Sequence, residues 1–166
     1  LIMQLIKDVV ERNARRFPGE LALVYRDNRF TFREFNARVN RLANALLGRG
    51  IKKGDRIAII LDNCHQYCEI MAAASKAGFI LSNFSTSLKD ELDHVVGNCE
   101  PCMMIVGENH AGKYNTEWKS IKEVICIGNA VGNMTPYEQL LSGASEENPQ
   151  VDIQPEDGLY LYYTSG

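Results

Sequence analysis

Residues 56–62 read Arg-Ile-Ala-Ile-Ile-Leu-Asp, "RIAIILD". The apolar run from Ile57 to Leu61 has no polar alternation, as suits a strand covered on both faces, and such strands belong to parallel sheets. Downstream, Asp62 or Asn63 is placed to cap a helix over "CHQYCEIMAAASKAG", in which Cys64, Cys68, Met71 and Ser75 share a face with Tyr67 and Ala74. "FILSNFS" from Phe79 reads as the next strand. Ser87 and Asp90 then open a helix carrying Leu88, Leu92, Val95 and Val96. "CMMIVGE" from Cys102 and "EVICIGN" from Glu123 are strand-like again. Upstream, "LALVYRD" and "NRFTF" flank Asp27-Asn28 and predict a hairpin. Thr31 and Glu34 form a capping box ahead of a helix with Phe35, Val39, Leu42 and Leu46 in one stripe, backed by Ala43 and Leu47. Gly48 and Gly50 end it.

Near the other end, Thr135, Pro136 and Glu138 suit a helix start as cap, first position and third position. A polar, turn-rich loop follows from Ser142 to Gly158, and "LYLYY", Leu159–Tyr163, is a last strand running into Thr164. Repeated strand–helix–strand units define an α/β fold class, a layered and mostly parallel sheet with flanking helices. Residues 1–166 are expected to form one domain. Ligands of such sheets bind beyond the carboxyl ends of the strands, and Thr164-Ser165-Gly166 falls at that kind of place.

Composition narrows the function classes. With 18 Lys+Arg against 21 Asp+Glu, the formal charge is −3 and no long block of one sign occurs, which gives no support for a nucleic-acid partner. No apolar stretch approaches the roughly 18–20 residues that a membrane helix needs. Five cysteines, outside any disulfide-dense spacing, fit a reduced, cytoplasmic setting.

Three motifs compete for a chemical role. "GENHAGKY", Gly107–Tyr114, has the G-x-x-x-x-G-K spacing of a phosphate loop. Tyr114 stands where that loop needs Ser or Thr for magnesium, so a surface turn is the better account. Cys99-Glu100-Pro101-Cys102, with Cys64, His65 and Cys68, offers soft ligands for a metal or a redox pair. Cys64 and Cys68 share a face with Met71, and thiols there pack as small hydrophobes. His65, His94 and His110 stand without an evident nucleophile partner. Third, Thr164 and Ser165 offer hydroxyls and backbone N–H groups suited to phosphate oxygens, and Gly166 permits close approach.

"DGLYLYYTSG" at residues 157–166 resembles the opening of the phosphate-binding motif of the AMP-forming acyl-CoA synthetase (adenylate-forming) superfamily. "FTFREFNARVNRLANALLGRGIKKGDRIAIILDN" looks like that family's amino-terminal helix, Lys-Gly-Asp turn and first buried strand. "EIMAAASKAGFILSNFSTSLKDELDHVVGNCEPCMMIV" is similar to the elements that follow. The likeness runs in the family's order from about "NARRFPGELAL" onward. Asn83-Phe84 departs from the Asn-Pro often found there.

The resemblance implies the amino-terminal portion of the large domain of an adenylate-forming enzyme, a fragment expected to be silent alone. The intact protein is then expected to be an ATP-dependent acid–thiol ligase, with a fatty acid as the default substrate. Its substrates and cofactors would be a carboxylic acid, ATP with a magnesium ion (Mg2+), and coenzyme A. Thr164, Ser165 and Gly166 would contact the β- and γ-phosphates. The alternatives are an adenylation domain of another adenylate-forming enzyme, such as a peptide synthetase or a luciferase-like oxygenase, and a small nucleotide-binding domain.

Overall fold

The structure is a computed structural model and describes residues 5–84, 92–112 and 118–163. The sequence places a helix start at Ser87 and Asp90, and the end of the decoy loop at Lys113-Tyr114; both lie outside the described residues.

Helix α1 (Ile6–Arg16) leads into a hairpin of β1 (Leu21–Tyr25) and β2 (Asn28–Thr31). The hairpin is antiparallel, pairs Tyr25 with Asn28, and turns through Arg26 at φ 52°. Helix α2 (Phe32–Gly48) starts on the expected box. The Thr31 hydroxyl oxygen accepts from the Glu34 N–H at 3.3 Å, and the Glu34 carboxylate accepts from the Thr31 N–H at 2.8 Å. Two free donors at the helix start are thus satisfied reciprocally.

The main sheet contains β3 (Arg56–Ile60), β4 (Ile80–Asn83), β5 (Met103–Gly107), β6 (Glu123–Ile127), β7 (Thr135–Pro136) and β8 (Tyr160–Leu161). Its order is β7-β6-β5-β3-β4-β8, with every neighbouring pair parallel. The RIAIILD strand therefore sits inside the sheet, between β4 and β5. Helices α3 (His65–Ala77), α4 (Leu92–Cys99) and α5 (Tyr137–Leu141) complete the chain.

Strand side chains alternate between two cores. Ile57, Ile59, Leu81, Met103, Ile105 and Ile125 pack with residues of α2, α3 and α5. Ala58, Ile60, Met104, Val106 and Cys126 pack with Leu92, Val95, Val96 and Cys99 of α4. Because each strand is apolar on both faces, neither face reads as solvent-facing, and each buried Ile or Leu contributes about 1.5–3 kcal/mol. Helix α1 has no buried residue, although Val10 packs against the first core.

Two expected helix starts differ. Cys64, rather than Asp62 or Asn63, occupies the cap position of α3, and its side chain makes no capping hydrogen bond. At α5 the cap is Pro136, one residue later than expected. The Thr135 hydroxyl donates instead to Glu123 Oε1 at 2.6 Å, and Thr135 joins the short strand β7. The short bond to the Glu123 carboxylate fixes the Thr135 side chain toward β6, and the helix begins one residue later.

Helix α3 differs more. Of its expected face, Ala74 and Ser75 are buried, whereas Cys64, Tyr67, Cys68 and Met71 are only partly buried. The fully enclosed positions are Glu69, Ile70, Ala72, Ala73, Ala74, Ser75, Lys76 and Ala77. The helix is hemmed in nearly all round, so no single apolar stripe marks its inner face.

Candidate functional site

The sheet ends where the sequence motif points. Strand β8 lies beside β4, pairing Leu81 with Tyr160 and Ser82 with Leu161, and the Leu81 N–H donates to Leu159 O at 2.8 Å. The carboxyl ends of β4 and β8 are thus adjacent, and Tyr162-Tyr163 hands the chain to Thr164. Thr164, Ser165 and Gly166 themselves lie outside the described residues.

Aromatic side chains surround that exit. The Tyr160 and Tyr162 rings stack at 5.2 Å with an interplanar angle of 19°. Tyr67, from the first turn of α3, accepts a hydrogen bond from Asn83 Nδ2 at the end of β4. On the other face, Tyr163 donates to Asn98 Oδ1 at 2.8 Å and meets the Phe84 ring edge-on at 6.3 Å. Burial pushes the Tyr160 phenol up to about 12, with the neighbouring Tyr67 and Tyr162 adding to the effect. Burial likewise raises Tyr67. These phenols stay protonated at neutral pH. Among the described residues the exit is lined by ring faces and by phenol and amide hydrogen-bonding groups, which can orient a ligand.

Among the described residues the rival motifs do not assemble. Cys64, Cys68, Cys99, Cys102 and Cys126 are all free, and burial raises each thiol. Thiolates, which metal binding and redox attack require, are thereby disfavoured. Among the described residues no group of three or more His, Cys, Asp or Glu is arranged to hold a metal ion. The described part of "GENHAGKY" is a turn tied to its neighbours, not a helix start. The Glu108 carboxylate accepts from the Asn129 N–H at 2.9 Å, and Asn109 donates to Asp62 at 3.2 Å. His110 is buried with Nε2 3.1 Å from Asp62 Oδ1. His94 is exposed on α4. The His65 ring lies 5.0 Å from Phe30, tilted by 35°, and its pKa is pulled down by burial, partly countered by the Glu69 charge.

Sequence reading missed two buried charges on α3. Glu69, 0% exposed, takes Arg38 Nε at 2.7 Å and Nη2 at 3.2 Å, and accepts from the Tyr137 hydroxyl at 2.8 Å. Arg38 also holds Glu138 through Nη1 at 3.0 Å and Nη2 at 2.7 Å, and its guanidinium lies 5.5 Å from the Phe30 ring centroid. Burial opposes the Arg38 charge, but its bonds to Glu138 and Glu69 outweigh that and raise its pKa overall. Two turns along, Lys76 is 1% exposed and donates to three side-chain amide oxygens. The one available signal was a charged residue at each end of an alanine-rich helix.

Comparison with known proteins agrees with this arrangement. The family described as AMP-binding enzyme matches residues 10–166. A long-chain-fatty-acid–CoA ligase of Mycobacterium tuberculosis, FadD13, is 29% identical over 141 residues, covering 84% of this chain and 28% of that protein. A feruloyl-CoA synthase of an Amycolatopsis species is 30% identical over 157 residues, covering 93% of this chain and 30% of that one. The crystal structure of the N-terminal domain of FACL13 from Mycobacterium tuberculosis superposes with a TM-score of 0.86 at 25% identity, covering 99% of this chain and 42% of that one. The parallel α/β sheet and the family match together define the class as an AMP-binding enzyme domain. The chain belongs to the AMP-binding enzyme family. It spans less than a third of the length of the curated relatives it matches.

Proposed function

We propose that residues 1–166 are the amino-terminal portion of the AMP-binding domain of an ATP-dependent, AMP-forming acyl-CoA synthetase. The observation that carries this reading is the family match over residues 10–166, supported by the parallel pairing of β8 with β4 just ahead of Thr164 in the sequence. In the proposed reaction, the acid's carboxylate oxygen attacks the α-phosphorus of ATP. The bond to the bridging oxygen breaks and pyrophosphate leaves. The thiol of coenzyme A then attacks the acyl carbon of the adenylate, losing its proton, and AMP departs.

Attack by an anion on a polyanion needs fixed N–H donors and tight positioning. Thr164 and Ser165 would offer hydroxyl and backbone donors to the β- and γ-phosphates, and Gly166 would allow close approach. A magnesium ion would help neutralise the phosphates in such chemistry, but the described residues bring no carboxylate cluster to this edge to hold it. The isolated 166 residues are catalytically silent in this reading.

Relatives acting on a long-chain fatty acid and on a feruloyl group leave the acid's class to experiment, with a fatty acid as our choice. Among the described residues no helix is long and apolar enough to cross a membrane. A cytoplasmic setting is supported by the five free cysteines.

The test is ATP–pyrophosphate exchange on the full-length gene product with short, medium, long-chain and aromatic acids. Exchange that depends on one class of acid is the expected result. Folded protein that exchanges with none of them would sink the proposal.

A further inference from the structure

Lys76 has an unusual setting for an ammonium group. Its Nζ donates to Asn36 Oδ1 at 2.7 Å, Asn40 Oδ1 at 2.8 Å and Asn148 Oδ1 at 2.8 Å. A lysine ammonium has three N–H bonds, and here all of them are committed. Glu11 of α1 supplies the nearby opposite charge at 3.5 Å. Two of the amide acceptors sit on α2, whereas Asn148 belongs to the long loop between α5 and β8.

That loop is fastened by side chains at several further points. Asn40 Nδ2 donates to Glu146 O at 2.6 Å and to Asn148 Oδ1 at 2.9 Å. Asn44 Nδ2 donates to Ser145 O at 2.9 Å and Glu147 O at 2.8 Å. Lys53 then holds Asp152 O at 2.8 Å and Asp157 Oδ2 at 2.6 Å, after which Leu159 O meets the Leu81 N–H. Lys76 also lies on the last turn of α3, whose left-handed end at Gly78 (φ 75°) turns the chain into β4. The arriving strand and the strand it pairs with are therefore anchored by the same residue.

We propose that Lys76 is a positioning residue for the loop that begins at Thr164: by holding Asn148, it fixes where the α5–β8 segment docks and so sets the register of β8 on β4. Register matters because a one-residue slip moves every strand side chain to the opposite face, which would re-aim the residues after Tyr163. The role in ATP handling rests on the acyl-CoA synthetase reading; the tether itself does not.

Two backbone amides, Leu81 on β4 and Phe84 just past its end, separate this role from general stabilisation. The Leu81 N–H bonds toward β8, at Leu159 O, and the Phe84 N–H bonds toward β3, at Ile59 O. In the full-length Asn148→Ala protein, hydrogen exchange at Leu81 is expected to quicken by about tenfold or more while Phe84 is unchanged. Asn148→Asp keeps an acceptor for Lys76 and is expected to restore the slow Leu81 rate. In ATP–pyrophosphate exchange, Asn148→Ala should raise KM for ATP by about tenfold and leave KM for the acid alone. Lys76→Met should do the same more strongly, and Asn148→Ala carries the test if that variant fails to fold. Equal acceleration at Leu81 and Phe84, or acceleration at neither, would overturn the tether. A quickened Leu81 rate in Asn148→Ala with both KM values unmoved would overturn its role in ATP handling. Wild-type protein without exchange activity would end the synthetase reading, and the amide rates would still decide the tether.

Discussion

Glu69 and Lys76 show how much one buried charge demands of its surroundings. Removing the partner of a buried ion typically costs about 3–5 kcal/mol, because the charge left behind stays desolvated. Glu69→Ala is therefore expected to lower the unfolding free energy by about 3 kcal/mol, since Arg38 keeps Glu138 but Tyr137 is left with an unpaired hydroxyl. Tyr137→Phe should cost about 1–2 kcal/mol, the worth of a hydrogen bond to a charged acceptor. Urea titrations of the variants check both values. Lys76 gives a pH signature. Burial draws it from 10.5 to about 8, partly countered by Glu11. Between those two values the unfolded chain binds more protons than the folded one, so stability rises with pH across that window. The gain is on the order of 3 kcal/mol, full above pH 10.5 and lost as pH falls through 8. In Lys76→Met this rise between pH 8 and 10.5 should disappear, as denaturant midpoints measured across the range would show.

Among the elements, those governed by local chemistry were legible. The RIAIILD, CMMIVGE and EVICIGN strands, the hairpin (its turn at Arg26-Asp27, one residue earlier than the expected Asp27-Asn28) and the Thr31–Glu34 box each depend on residues within a few positions of one another. Thr31→Ala should accordingly cost about 1 kcal/mol by thermal unfolding. What escaped was non-local. Thr135 turned from capping α5 to Glu123, twelve residues away in sequence, and Glu69 meets Arg38 across thirty-one. Helix α3 hid its inner face because alanines surround it, so cysteines and a methionine were read as the buried stripe. Thr164-Ser165-Gly166 lie outside the described residues, and the contact between Lys76 and Asn148 was not readable because the two meet from distant segments. Gly78 offers a second test at this scale. Its φ is 75° and an added Cβ would lie 2.7 Å from Lys53 Cγ. Gly78→Ala should therefore destabilise by about 1–3 kcal/mol and loosen the α3–β4 turn, measured by denaturation and by Gly54 amide exchange, since that N–H bonds to Gly78 O.

At the scale of the molecule, stability is distributed unevenly. Strands β3 and β5 are buried on both faces and paired on both edges. Helix α1 buries no residue, and Phe17, Leu21 and Val24 are exposed around the hairpin. Native-state hydrogen exchange is expected to rank β3 and β5 slowest, with α1 and β1–β2 faster by about a hundredfold or more. Uniform protection along the chain would contradict that layering. The pairing of α2 with α3 adds a different consequence. Leu and Ala faces alone could mesh in several sliding offsets of similar energy. A carboxylate that must meet Arg38 and an ammonium two turns on that must meet Asn36 and Asn40 admit one offset, much as two pins on a plug admit one socket. Anyone grafting new loops onto this scaffold inherits that constraint. The two helices can be exchanged only as a matched pair, and with them the stretch around Asn148 that completes the socket.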